Sequence, residues 1–324
     1  MIDVRTALPV WPHLAHHPRM PAATDWFVVV NPASGGGRAR RRWPALARCL
    51  GAAGVRFEPA ITGHPGHATS LVRDAVAAGY RRVLAVGGDG VLHEALNGVM
   101  TQTRAPPSDI CIGAAPLGSG NDWARGHGIP MDAEGAARCV AAARFVAEDV
   151  GRLDFAGDGA ARRCHFINVA GAGLDADVLE RLPRRLPRRP GYLIGLLRSL
   201  ASFEPPRFDL LLDGRPVASR ALVALLSLGP WCGGGMHLAP AARYDDGLLD
   251  VLTVDPLRLP AQLPRLRRVF DGRLPEEPFA HYARAATVSV AADPPVRVQA
   301  DGQLVGHTPF VATVLPRAVL ALRA

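Results

Sequence analysis

Residues 82–90 read Arg-Val-Leu-Ala-Val-Gly-Gly-Asp-Gly, a short apolar run closed by a turn of glycines around one aspartate. The run shows no polar alternation, as expected of a strand covered on both faces. Two further stretches repeat the pattern. Trp26–Val30 leads into Asn31-Pro-Ala-Ser-Gly-Gly-Gly37, and Ile110–Ala114 leads into Pro116-Leu-Gly-Ser-Gly-Asn-Asp-Trp123. Alanine-rich, helix-compatible segments follow these turns as far as about Arg144. Such alternation predicts a parallel sheet with helices on both faces and ligand-binding loops at the C-terminal strand ends.

After about Asp149 the texture changes. Gly, Pro and Asp turns separate the runs Phe208–Leu212, Ala221–Leu228, Leu249–Val254 and Ala286–Ala291, which predicts antiparallel β-structure. Residues 1–24 form an N-terminal extension, 25–148 the α/β unit and 149–324 the β unit. Pro309–Ala324 suggests one more hairpin, with its last strand free to return to the first unit. Leu179–Ser202, in which Leu-Pro-Arg-Arg is doubled, suggests an exposed insertion.

The three turns suit anions, because glycines let backbone N–H groups encircle phosphate oxygens and a following helix adds favourable partial charge. None matches the P-loop or the dinucleotide G-x-G-x-x-G pattern. Two of the turns hold carboxylates, Asp89 and Asp122, where a bare phosphate cradle would avoid like charge. A cation between acid and phosphate resolves the conflict, and Mg²⁺ is the hard, oxygen-preferring ion that does so in nucleotide sites.

Composition adds bounds. The chain of 324 residues has a formal net charge of +8, carried by arginine with no lysine, so its cationic surface consists of guanidinium forks suited to phosphate and carboxylate. Charge alone leaves nucleic acid, nucleotide and anionic membrane open. Cys49, Cys111, Cys139, Cys164 and Cys232 are scattered without a CxxC pair, which predicts free thiols. The N-terminus lacks a basic head followed by an apolar run, and the apolar stretches fall short of the roughly 20 residues a spanning helix needs. Any membrane contact would be peripheral.

With those loops in view, the chain resembles the diacylglycerol kinase catalytic-domain family, the bacterial soluble lipid kinases in particular. The resemblance rests on six ordered stretches: VVNPASGGG, VGGDGVLHEALNG, PLGSGNDWAR, FINVAGAGLDADV, APAARYDDGLLDV and VQADGQLVG. It implies a three-layer α/β nucleotide domain like those of phosphofructokinases and NAD kinases, followed by an antiparallel β-sandwich that binds lipid. It also implies ATP as phosphoryl donor, Mg²⁺, a lipid acceptor at a membrane surface and no nucleic acid. The location implied is cytoplasmic, at the inner membrane face; a homodimer stays open.

Carried over by position, Asn31, Ser34, Gly35 and Gly37 match the first nucleotide loop. Gly87, Gly88, Asp89 and Gly90 match the loop beneath the phosphates, and Gly118, Ser119 and Asn121 match the third. Asp89 and Asp122 match the Mg²⁺ network and Asp301 the general base. Asp246, with the backbone carbonyls of Arg243 and Leu248, matches a second, structural Mg²⁺ site. Two positions depart from the pattern. Gln303 stands where the family writes Glu, and Val91 where Thr is usual.

Each feature has a plainer reading. Asp301-Gly302 is also a strong hairpin-turn signal, Asp245-Asp246-Gly247 suits a solvated turn, and Asp175 suits a helix-start carboxylate. Met236 and Trp231 suit sandwich core, and the histidines from His13 to His67 suit surface or turn roles. The departures at Gln303 and Val91 favour a second function, a non-catalytic nucleotide- or lipid-binding regulator. NAD kinase is a third, favoured by the shared GGDG loop but not by the other motifs.

The run Arg181, Arg184, Arg185, Arg188 and Arg189 is either a solvated loop or a membrane-facing patch, with Tyr192, Leu193, Leu196 and Leu197 beside it. An arginine near an anionic surface contributes about 1 kcal/mol. Replacing all five with glutamine is expected to cut sedimentation with phosphatidylglycerol vesicles. Unchanged binding would assign the run to solvent.

Overall fold

The computed structural model describes residues 22, 24–155, 162–181, 194–196, 198–199, 202–256, 265 and 267–324. Most of the arginine run, Arg184 to Arg189, lies outside them, as do Tyr192, Leu193, Leu197 and the histidines at 13, 16 and 17.

Four strands form the parallel part of the first sheet. They are β1 (Trp26–Val30), β2 (Phe57–Ile61), β3 (Arg82–Gly87) and β4 (Cys111–Pro116), ordered β2-β1-β3-β4. Every residue of β1 is buried, which is why that run carries no polar alternation. The chain passes outward from β1 to β2 through α1 (Ser34–Ala52), then back across β1 to β3 through α2 (His67–Ala77). Right-handed crossovers running in opposite directions place those helices on opposite faces. Helix α3 (Asp89–Thr101) packs beside α2, and α5 (Ala133–Ala142) beside α1. The short α4 (Asp122–Gly126) lies between β4 and α5. These elements make the expected three layers.

The sandwich is built on two strands that belong to both halves. Strand β5 (Phe145–Phe155) runs unbroken through the expected boundary at residue 148. The C-terminal segment is one long strand, β18 (Phe310–Leu322), where the sequence suggested a hairpin. Its Pro316-Arg317 pair is an irregularity in the ladder with β5 between Leu315 and Val319. The buried Asp149 fills it, accepting the Arg317 N–H at 2.8 Å on one oxygen and the Gly247 N–H at 2.6 Å on the other. The far end of β18 pairs parallel with β4 at Leu320 and Ala321, and its near end pairs with β15 (Thr287–Asp293).

Strands β6 (Arg162–Phe166), β8 (Arg207–Leu212) and β9 (Arg215–Arg220) complete this sheet. Facing it is an antiparallel sheet of six strands, ordered β14-β13-β10-β7-β16-β17. Its members are β7 (Val169–Gly173), β10 (Val223–Ser227), β13 (Leu249–Val254), β14 (Ala280–Ala285), β16 (Arg297–Ala300) and β17 (Gln303–His307). A two-strand ribbon, β11 (Trp231–Cys232) with β12 (Met236–His237), lies apart. Between the sheets sit Leu153, Phe166, Phe208, Val288, Val298 and Phe310. Strand β10 is apolar at nearly every position because both of its faces are covered. Ala224 and Leu226 enter the sandwich core, while Val223 and Leu225 join a second apolar cluster on the outer side.

The sandwich core tolerates no added volume at Gly151, which pairs with Phe166 across β5 and β6. A Cβ there would lie 2.1 Å from the Phe166 ring, which is fully buried. Gly151→Ala is expected to lower stability by about 1–3 kcal/mol through overpacking, read as a lower urea midpoint at unchanged slope. Gly51→Ala, in open space on α1, is the control. Equal midpoints for the Gly151 variant and wild type would refute the packing argument.

Candidate active site

Three adjacent strands, β1, β3 and β4, end at the same edge of the sheet, so their three glycine turns meet there. The contacts between turns are contacts between backbones. A Cβ on Gly118 would lie 2.3 Å from the Gly88 Cα, and one on Gly87 would lie 2.6 Å from the Ser34 Oγ. The N–H groups of Leu117 and Gly118 both donate to the Gly87 carbonyl, at 2.8 and 2.7 Å.

In the first turn Asn31 Oδ1 accepts the Ala33 N–H at 3.0 Å, and Gly35, Gly36 and Gly37 all take left-handed conformations at φ 63, 67 and 82°. Three such residues in succession are open only to glycine at small cost. In the third turn Asn121, also left-handed, accepts the Gly118 N–H and donates to the Gly118 carbonyl, at 3.1 and 3.2 Å. Half-buried Ser119 lies on the same turn. The structure thus brings together all the residues expected to hold nucleotide.

Asp89, at the start of α3, and Asp122, at the start of α4, converge over Gly120. A Cβ on Gly120 would lie 2.7 Å from Asp89 Oδ2 and 3.5 Å from Asp122 Oδ2. Asp122 is held from two sides, by Arg125 Nη1 at 2.6 Å and by the Gly234 N–H at 2.6 Å. Burial pushes its carboxyl above the usual range, against the pull of those donors. Asp89 Oδ1 accepts the Trp123 N–H at 3.3 Å, and Oδ2 lies on the side of Gly120. A carboxylate oxygen beside backbone loops fits Mg²⁺, which takes one or two carboxylates and completes its shell with water and phosphate.

At the matched second metal site Asp246 pairs with an arginine. Arg284 Nη2 contacts Asp246, and its Nε lies 3.5 Å from Asp250. Leu248 faces Asp246 with its N–H, at 3.2 Å, and Arg243 pairs with Asp245. A guanidinium thus pairs with Asp246 in the metal-free chain, and Mg²⁺ on Asp246 with the Arg243 and Leu248 carbonyls stays what the resemblance implies.

Asp301-Gly302 forms the two-residue turn between β16 and β17, both residues left-handed. The Asp301 carboxylate is saturated. Oδ1 accepts the N–H groups of Asn168 and Val169 at 3.0 and 3.1 Å; Oδ2 accepts Ile167 N–H and His93 Nδ1, both at 3.1 Å. It lines the site, and these four donors fix the position of the carboxylate on which the resemblance places the general base. His93 sits one helical turn after Asp89 on α3. Burial favours its neutral ring, but hydrogen bonds to Asp301 and Cys164 outweigh this and raise its pKa to about 10. Gln303, just beyond the turn, lies against the second loop, with Nε2 2.5 Å from a Cβ placed on Gly90. Val91 is buried beneath Gly87.

From the acidic rim a cavity of about 190 Å³ runs along the outer face of the second sheet. Asp89, Asp122, Asp175, Gln299 and Asp301 stand at its polar end. Its walls include Leu174 and Val178 of α6 (Leu174–Glu180), with Leu225, Met236, Leu274 and Phe279. Met236, read as core, and Leu196 both face this space. Two side chains of the site, His93 and Gln299, escaped the sequence reading, and Asp175 entered it only as a helix-start carboxylate. The i, i+4 spacing of Asp89 and His93 was a usable signal; Gln299 carried none.

Two family models match the chain. One, described as the diacylglycerol kinase catalytic domain, covers residues 25–153, and the other, the YegS C-terminal NAD kinase beta sandwich-like domain, covers residues 168–323. A protein of Mycobacterium tuberculosis named diacylglycerol kinase is 34% identical over 304 residues, 91% of this chain and 94% of that protein. A probable lipid kinase YegS-like of Chromohalobacter salexigens is 33% identical over 277 residues, 82% and 84% of the two chains. A crystal structure titled a diacylglycerol kinase from Bacillus anthracis shares the fold, with a TM-score of 0.70 at 20% identity over 93% and 97% of the chains. A phosphate-cradling lobe opening onto an apolar sandwich cavity is thus the frame of a class of lipid kinases. Within that class, the chain belongs to the diacylglycerol kinase catalytic-domain family.

The His93–Asp301 pair generates a pH signature. A histidine whose folded pKa is raised adds stability that is complete below its unfolded value, near 6.5, and is lost as pH climbs through about 10. Urea unfolding of the wild type is expected to show that loss between pH 7 and pH 10, as a trend that Asp301→Asn flattens while lowering stability throughout. Parallel pH trends in the two proteins would refute the pairing.

Proposed function

We propose that the protein transfers the γ-phosphoryl group of ATP, with Mg²⁺, to a hydroxyl of a diacylglycerol-like lipid. One observation carries this reading: Asp89, Gly120 and Asp122, from the second and third loops, line a cavity whose other walls are mostly apolar. An acceptor with one polar end and long apolar chains matches that polarity.

The loops would bind the nucleotide phosphates through backbone N–H groups, and Asp89 would hold Mg²⁺, with Asp122 facing it across Gly120. When bound, that ion neutralises charge shared between carboxylate and phosphate oxygens. Arg125 fixes Asp122, so its carboxylate does not swing toward the phosphates. The apolar walls exclude water, which would otherwise compete as acceptor. The anionic surface where such lipids reside suits a chain whose cations are all arginine. Membrane contact through the arginine run belongs to this same reading, as does a cytoplasmic location at the inner face.

A second reading, a nucleotide- or lipid-binding regulator without turnover, draws support from the amide at Gln303 and the saturated Asp301. Incubating the protein with radiolabelled ATP, Mg²⁺ and a panel of diacylglycerol, phosphatidylglycerol, sphingoid and polyprenyl alcohols separates the two. A labelled lipid is expected; nucleotide binding with no labelled lipid would favour the regulator. Gln303→Glu is expected to preserve or raise turnover, since it adds a charge beside Gly90. A sharp fall would show that the second loop is fitted to the amide.

A further inference from the structure

His93 reaches out of the nucleotide lobe. It projects from α3 to the β16–β17 turn of the sandwich, where its Nδ1 lies 3.1 Å from Asp301 Oδ2 with both side chains buried. Neither the resemblance nor the phosphate loops give it a task. Of the four donors on Asp301, three are neutral backbone N–H groups, at Ile167, Asn168 and Val169. Such dipoles hydrogen-bond a carboxylate without neutralising it, and a buried charge is costly unless an opposite charge stands beside it. His93 is the only one of the four that can carry that charge.

The far side of the ring allows it. Asn97, one turn further along α3, is oriented by the His165 N–H, which donates to its Oδ1 at 2.9 Å. Its two amide hydrogens go to the carbonyls of His93 and His165, each at 2.9 Å. Asn97 therefore presses no hydrogen on Nε2, and that nitrogen is free to keep its own, with Cys164 Sγ 3.7 Å away to accept it. Burial works against a charged ring, but the hydrogen bonds to Asp301 and Cys164 overcome it and raise His93 to about 10.

The other groups around His93 do not oppose the charge. His165, beside Cys164 on β6, is pushed down to about 4 by burial and by Arg163 and Arg152, so it is neutral at pH 7. Asp89 stands one turn before His93 on α3. Helix α2 meets α3 at Glu94, whose carboxylate accepts the Ala68 N–H at 3.1 Å. Both of these are acids, and acids favour a cation.

Building on the kinase reading above, we infer that His93 is a positioning residue for phosphoryl transfer: its imidazolium holds the Asp301 carboxylate in place, at the position to which the resemblance assigns the general base. His93 touches neither lipid nor nucleotide, and it neither gives nor takes a proton during turnover. It acts through Asp301, tying the helix that opens with Asp89 to the turn that carries the acid.

Two measurements test this. In the first, kcat and KM for phosphorylation of 1,2-dioleoylglycerol in mixed micelles are followed from pH 6 to pH 9 in wild type, His93→Asn and His93→Ala. The Asn amide can reach the same carboxylate oxygen but brings no charge. At pH 7 His93→Ala is expected to lose at least roughly 10-fold in kcat with KM for ATP unchanged. His93→Asn is expected to recover most of kcat at pH 9, while the acid limb of its profile stands about one pH unit above that of wild type, the effect of removing an opposite charge from beside a carboxylate. Wild-type profiles in both variants, or equal losses in both at every pH, overturn the assignment. Should His93→Ala fail to fold, the profile of His93→Asn alone decides it.

In the second, spectra of the wild type labelled with ¹⁵N-histidine are recorded at pH 8, the His93 signals being those absent from His93→Asn. A protonated ring is expected, where an ordinary histidine is neutral; a neutral ring overturns the assignment. Failure of the wild type to phosphorylate any lipid would sink the kinase reading, and the charge on the ring would still decide whether His93 holds Asp301.

Discussion

The junction between the two halves rests on one carboxylate. Asp301 gathers three consecutive backbone N–H groups, at Ile167, Asn168 and Val169, and a charged imidazole from α3. The β16–β17 turn, the approach to β7 and the helix that starts with Asp89 are thereby fixed relative to one another. Remove the acid, and three buried donors and a buried cation lose their partner together. Breaking a buried pair from one side costs about 3–5 kcal/mol. The position of the polar cavity end relative to the phosphate loops depends on this contact.

The second constraint is closeness of backbone. The loops after β1, β3 and β4 interlock only because Gly87, Gly88 and Gly118 present no side chain where they touch. The same economy recurs along the cavity, where Gly171 yields its space to Asp175 and Gly120 yields to Asp89 and Asp122. Glycine thus acts in two ways here, supplying left-handed turns at residues 35–37 and supplying empty volume for carboxylates elsewhere.

Much of this was legible from residues alone. Trp26–Val30, Arg82–Val86 and Ile110–Ala114 announced buried parallel strands because strands with both faces covered need no polar positions, and the glycine turns marked the ligand edge. The apolar continuity of Ala221–Leu228 even held the cavity in outline, since an antiparallel strand apolar on both sides needs something apolar on each. What stayed hidden depends on partners far apart in sequence. Arg284 reaches Asp246 across 38 positions, and Asp301 meets His93 across 208. No local pattern encodes such meetings. The hairpin expected over Pro309–Ala324 misled for the opposite reason, a local pattern overridden by the ladder that β5 imposes and by Asp149 beneath it.

Strands β5 and β18 are shared property of both lobes, hydrogen-bonded to each other along nearly their whole length. Many two-lobed enzymes swing about a flexible connection to admit their substrates. A wide swing here would tear a continuous ladder, so the frame resists bending at its waist. Access to the cavity then falls to the small pieces that line it, chiefly α6 and the β11–β12 ribbon, rather than to a parting of the two halves.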